Sequence, residues 1–179
     1  MRILTVCTHN RTRSVLFEAL LGRHLHECGV DAQLASAGTG VPGFPPMPEV
    51  VEFLATLGID ASHHESHRVD ASAVSDADLV LTAEVQHVVH VAGTWPGTFG
   101  RTFTLPEFVG RAEAVGPRAG RPVALWVAEI AADRKGGVDY LHDRSVPEVD
   151  DPTGGPPAAW SSSFVSIDGW CRRAAELLA

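Results

Sequence analysis

The residue types best able to do chemistry crowd into one octapeptide, Cys7-Thr8-His9-Asn10-Arg11-Thr12-Arg13-Ser14. A thiol opens it, and an arginine and a hydroxyl close it. Ile3-Leu4-Thr5-Val6 before it is apolar and partly β-branched, as a buried strand is. Val15 onward carries the spacing of a helix. The octapeptide is therefore a turn from a strand into a helix N-terminus. Such a turn gathers free backbone N–H groups and the positive end of the helix dipole, which together cradle an anion. Dipole and Arg13 both favour thiolate at Cys7. A thiolate facing a bound phosphate is a nucleophile aimed at phosphorus. A cysteine after a strand is more ordinarily a small buried hydrophobe; the strand-loop-helix setting favours the phosphate cradle.

Two other stretches invite chemistry. Val149-Asp150-Asp151-Pro152-Thr153-Gly154-Gly155-Pro156 places acids before a proline in a Gly/Pro-rich loop. Alone it reads as an acidic turn. Ser62-His63-His64-Glu65-Ser66-His67 suggests metal binding, but no second Cys/His cluster completes a coordination sphere. No metal and no other cofactor is expected.

The elements that must position these groups follow from periodicity. Val15–Cys28 reads as a helix capped by Gly29, with His24 and His26 at the surface and Cys28 a structural thiol. Asp31–Thr39 reads as a second strand and Val41–Met47 as a loop. A helix follows from Pro48 to Leu57, with Val50, Val51, Phe53 and Leu54 inward. Asp78–Thr82 is a continuous apolar run, as in a parallel strand buried on both faces. Glu84–Ala92 is helical, Phe99–Leu105 a fourth strand, and Leu105 begins another helical piece. Residues 109–148 form a long connection. In it, Arg121–Lys135 reads as a helix with Trp126 packed, and Asp139–Glu148 as a polar surface loop. Trp160–Leu178 closes the chain as a helix with Cys171 in the core. Strands alternating with helices imply a parallel sheet with right-handed crossovers, and ligands bind at the carboxyl ends of its strands, where Cys7 lies.

The 179 residues are 45% hydrophobic, which suits one domain spanning residues 1–179. Net charge is −8, which argues against nucleic-acid binding. Cys7, Cys28 and Cys171 are far apart and suggest neither disulfides nor a zinc ribbon. A cytoplasmic location is expected, with no leader and no membrane span.

Cys7-x5-Arg13-Ser14 with its preceding strand resembles the signature of the low-molecular-weight protein tyrosine phosphatases. The resemblance implies an α/β three-layer sandwich with four parallel strands in the order 2-1-3-4. Residues 109–148 would then be an inserted helical segment. It implies a metal-independent phosphomonoester hydrolase in which Cys7 attacks phosphorus and a cysteinyl-phosphate forms. Thr8, His9, Asn10, Arg11, Thr12 and Arg13 would bind phosphate, and Ser14 would hydrogen-bond Cys7. Ser36, in Ser36-Ala37-Gly38-Thr39, would support Asn10, and His63 would brace the same asparagine. Asp151 would be the general acid, with Asp150 the alternative. The chain departs from the family pattern at His9, where a small residue is usual. It also departs at Thr12, where a second cysteine is common, and at Thr153-Gly154, where tyrosines often flank the substrate. A phosphotyrosine protein is the leading substrate, with Phe44 or Trp160 available for stacking. A small phosphomonoester is the alternative, and inorganic phosphate or another oxyanion should compete. Arsenate reduction fits less well, lacking relay thiols near Cys7. A non-catalytic phosphate- or phosphopeptide-binding module is the remaining reading.

Overall fold

A computed structural model describes all 179 residues. The chain runs β1 (Arg2–Cys7), α1 (Arg13–Glu27), β2 (Gln33–Gly38), α2 (Pro48–Thr56), α3 (Ala71–Asp76), β3 (Leu79–Thr82) and α4 (Val85–Thr94). It continues through β4 (Thr102–Thr104), α5 (Leu105–Val115), α6 (Val123–Ala131), α7 (Val138–His142) and α8 (Pro157–Leu178). The four strands form one parallel sheet in the order β2-β1-β3-β4.

Side-chain alternation explains why both faces of this sheet are covered. Ile3 and Cys7 of β1 and Leu79 and Leu81 of β3 point to one face and join a core of 29 buried residues. Leu4, Val6 and Val80 point to the other and join a smaller core with Val74 and Val91. A strand that is apolar at successive positions is stable only between two layers of helices. The first and last helices meet on the larger side, where Leu16, Leu20 and Leu21 of α1 lie in one core with Ile167, Cys171 and Ala175 of α8.

Several expected boundaries shift. The first helix begins at Arg13 rather than Val15. The fourth strand is only Thr102–Thr104, preceded by a 3-10 turn at Phe99–Arg101. Ala71–Asp76 forms a short helix that periodicity did not reveal; Asp70 caps it by accepting from Ala73 N–H at 2.9 Å. Residues 109–115 belong to α5, which joins the main core, so the irregular connection starts at Gly116. His24 is not a surface residue: its Nε2 lies 2.8 Å from Asp168 of α8, and the ring is buried between them. Cys28, expected to be structural, is exposed, whereas Cys171 is fully buried and burial pushes its thiol up.

The connection is pinned from within. Arg134 and Glu107 have side chains only 2% and 7% exposed, and Arg134 Nε donates to Glu107 Oε1 at 2.8 Å. The guanidinium also donates to the carbonyls of Phe99 and Thr102 and lies over the rings of Phe103 at 4.1 Å and Phe99 at 4.2 Å. Asp139–Glu148 is accordingly not simply a surface loop. Tyr140 of α7 is buried, and its hydroxyl donates to Glu107 Oε2 at 2.7 Å.

Removing one member of such a pair leaves the other charge buried alone, at a cost of about 3–5 kcal/mol. Glu107→Ala and Arg134→Ala are each expected to lower the urea midpoint by roughly 1–3 M, with the double variant losing less than the sum. A midpoint within error of wild type for either single variant would contradict this anchor.

Candidate active site

Cys7 is the last residue of β1, and the loop 8–12 curls back over it before α1 begins. Two donors reach its sulfur. Asn10 N–H points at Sγ from 3.3 Å, and Ser14 Oγ lies 3.1 Å away. Asn10 Nδ2 donates to Ser14 Oγ at 3.0 Å, so the hydroxyl hydrogen of Ser14 is left for the sulfur.

The curl depends on Asn10. Its φ of 52° lies in the left-handed region, which asparagine tolerates better than most residues. Its surroundings hold it there. Asn10 Nδ2 also donates to Ser36 Oγ at 2.9 Å, and Asn10 Oδ1 accepts from His67 N–H at 2.8 Å. The Asn10 carbonyl accepts from His64 Nε2 at 2.9 Å. The brace expected from His63 is therefore made by His64. His63 points outward, with its side chain 94% exposed and 3.9 Å from Asp60. Two consecutive residues in an irregular stretch face opposite ways, and His64 faces the loop.

Strand β2 also limits how close the loop may come. A Cβ on Gly38 would stand 2.8 Å from the Thr8 carbonyl and 3.0 Å from Asn10 N. Only glycine permits this approach. His9 is accommodated outward: it is exposed, and a Cβ on Gly40 would meet its Nδ1 at 3.2 Å. Arg11 turns to the other side, where Nε donates to the Pro45 carbonyl at 2.7 Å and the guanidinium lies 5.6 Å from the ring of Phe44.

Arg13 is 2% exposed and ties three segments together. Nη1 donates to Glu84 Oε1 and to the Val149 carbonyl, and Nη2 donates to Asp151 Oδ2 at 2.9 Å. Its Nε is buried with no partner. The Asp-Pro loop is docked besides through Thr12 and Thr153, whose hydroxyl oxygens are 3.3 Å apart, and through Val149 N–H to the Ala83 carbonyl at 2.8 Å. Asp150 is exposed and forms no hydrogen bond or ion pair with this cluster, whereas Asp151 is bonded to Arg13 within it.

Glu84 and His87, which periodicity did not single out, complete the cluster. Glu84 is the N-cap of α4, and Glu84 N–H donates to His87 Nδ1 at 3.1 Å while His87 Nε2 lies 2.9 Å from Thr8 Oγ1. The Glu-x-x-His spacing at the start of a helix was the available signal. Burial raises the Glu84 carboxyl, but the hydrogen bond and charge of Arg13, aided by Gln86, outweigh it and hold the group below the usual carboxylate range. Burial takes His87 the other way, down to about 4; Glu84 opposes the fall and Arg13 adds to it.

These shifts have one sign for stability. Below about 6.5 the unfolded chain protonates this histidine while the folded chain does not, so the contribution is whole above that pH and is lost as pH falls to about 4. Its size is roughly 3 kcal/mol. Glu84 acts in the same direction at still lower pH. Urea midpoints measured from pH 7.5 to 4.5 are expected to fall more steeply in wild type than in His87→Asn. Parallel profiles would refute the assignment. Gly38→Ala, which drives a methyl into the loop backbone, is expected to weaken inorganic phosphate binding at least tenfold by calorimetric titration.

No helix is long and apolar enough to cross a membrane. The family model for low molecular weight phosphotyrosine protein phosphatase matches residues 2–116, ending where the irregular connection starts. The protein named probable low molecular weight protein-tyrosine-phosphatase EpsP of Ralstonia nicotianae is 37% identical over 106 residues, which are 59% of this chain and 70% of that one. A protein-arginine-phosphatase of Bacillus subtilis is 34% identical over 110 residues, 61% of this chain and 73% of its own. The crystal structure of a low molecular weight protein tyrosine phosphatase from T. tengcongensis superposes with a TM-score of 0.74 at 27% identity, covering 99% of both chains. With a family match over more than half its length and the same sheet order as its solved neighbours, the chain belongs to the low molecular weight protein tyrosine phosphatases.

Proposed function

We propose that the chain hydrolyses phosphotyrosine in proteins through a cysteinyl-phosphate intermediate. The observation that carries this reading is that one buried arginine joins the loop around Cys7 to Asp151, so that residues 144 positions apart belong to one cluster. The Cys7 thiolate attacks phosphorus, and the bond to the phenolic oxygen breaks. Protonated Asp151 gives its proton to that oxygen. Ionised Asp151 then takes a proton from water, which attacks the cysteinyl-phosphate, releases inorganic phosphate and restores the thiolate. Loop N–H groups and the Arg13 fork stabilise the equatorial oxygens as charge grows.

The Arg13 geometry supplies an order of events. Nε is buried without an acceptor, and Nη2 is shared with Asp151, whose side chain is 38% exposed against 22% for Glu84. A phosphoryl group takes Nε and competes with Asp151 for Nη2. Glu84 stays, and Asp151 is released toward the leaving group.

A second reading is protein-bound phosphoarginine, the chemistry named for the Bacillus subtilis relative. Thr153-Gly154 puts no ring beside the acid, and the exposed carboxylates of Asp150 and Asp151 suit a guanidinium. Phe44, 46% exposed near Arg11, supports the aromatic substrate instead.

Turnover of p-nitrophenyl phosphate, a phosphotyrosine peptide and a phosphoarginine peptide separates these. Wild type is expected to give its highest kcat/KM with the phosphotyrosine peptide, Cys7→Ser to be inactive, and Asp151→Asn to lose about 10²–10⁴ in kcat. A phosphoarginine peptide turned over tenfold better would replace the leading reading with the second. Wild type that binds phosphate without turnover would make the loop a binding site only.

A further inference from the structure

His87 is a buried titratable group of the site without a part in the chemistry above. It is 1% exposed, and both ring nitrogens are held. The Glu84 N–H donates to Nδ1, so Nδ1 carries a lone pair and the ring's hydrogen sits on Nε2. Nε2, 2.9 Å from Thr8 Oγ1, is therefore the donor of that bond. A threonine hydroxyl that accepts in this way keeps its single hydrogen for another acceptor, and Thr8 Oγ1 makes no other hydrogen bond.

Thr8 follows the nucleophile directly, and its surroundings leave little freedom. Its carbonyl is taken by Gly40 N–H at 2.7 Å, and the residue is half-buried. We infer that His87 is a positioning residue that turns Thr8 into a directed hydrogen-bond donor to a non-bridging oxygen of the bound phosphoryl group. The inference rests on a phosphoryl group binding at the Cys7 loop, as proposed above.

Three details support it. The ring acts as a fixed dipole rather than a charge, because burial keeps it neutral through the physiological range. Its orientation is set by Glu84, whose carboxylate also holds Arg13, so one residue aligns two donors toward the same anion. Glu84 is itself held at the head of α4, where its side chain accepts from the His87 backbone N–H. A hydroxyl placed by rigid neighbours gives up less entropy on binding than one free to rotate.

The test compares wild type, Thr8→Val, His87→Asn and the double variant by kcat and KM for p-nitrophenyl phosphate and by titration with inorganic phosphate. The His87 ring N–H is followed by NMR throughout. Losing a hydrogen bond to a charged oxygen costs on the order of 10- to 100-fold. Thr8→Val is expected to lower kcat/KM and phosphate affinity by that factor. His87→Asn is expected to do the same in the wild-type background and to add less than twofold in the Thr8→Val background. Phosphate should shift the His87 Nε2–H resonance in wild type and leave it unmoved in Thr8→Val. Equal phosphate affinity and kcat/KM for Thr8→Val and wild type would overturn the inference. So would an undiminished cost of His87→Asn in the Thr8→Val background, which would make the histidine a helix cap only. If His87→Asn does not fold, the ring resonance in wild type and Thr8→Val decides alone. Wild type that binds phosphate with the ring shift but shows no turnover would sink the catalytic reading and leave this one standing. A lack of phosphate binding would sink both.

Discussion

A guanidinium cannot shed its charge inside a protein, so burying one commits its surroundings to supply anions. Arg13 imposes that requirement on the whole molecule. It starts the first helix, and its acceptors come from the turn after β3 and from the loop before the last helix. Segments that would otherwise be independent surface turns are thereby drawn to the carboxyl edge of β1 and β3. The sheet order makes this possible: with β1 and β3 adjacent, Glu84 reaches across one strand spacing to the guanidinium. Two carboxylates share one positive charge, so the guanidinium has more anionic acceptors than its charge requires.

The second requirement is a backbone that curls tightly enough for several N–H groups to converge. Asn10 bears that strain, and its side chain is used at both ends, with Ser14 and Ser36 on the amide nitrogen and His67 N–H on the oxygen. Gly38 gives the loop room to lie against β2. The cradle is therefore built by neighbours in the fold as much as by its own eight residues.

Much of this arrangement was legible in the chain. The strand before Cys7, the alternation of apolar runs and helices and the bond from Asn10 to Ser36 follow from local pattern or from motif resemblance, and Asp151 rather than Asp150 is the one that meets Arg13. What escaped was set by contacts distant in sequence. His63 and His64 are adjacent in a stretch without periodicity, and only the three-dimensional path decides which of them faces Asn10. His24 looked like a surface residue because its partner, Asp168, is 144 positions away. Tyr140 looked like part of a polar loop for the same reason, since Glu107 and Arg134 supply its buried partners. Charged side chains are exposed by default, and pattern alone gives no notice when two of them meet inside.

The wide separation of Cys7 and Asp151 bears on how the protein comes into being. The loop around Cys7 precedes in the chain the loop that clamps it, and the helix that packs against α1 follows both. Contacts of such long sequence separation form late, after the loop-closure entropy between them has been overcome. Cys7 is thus without its clamp until the segment that holds Asp151 has been made. The core on that side of the sheet, shared by α1 and α8, closes only once α8 has been made. Clamping of the Cys7 loop and closing of this core coincide, because the segment that carries Asp151 runs directly into the helix that seals the interior.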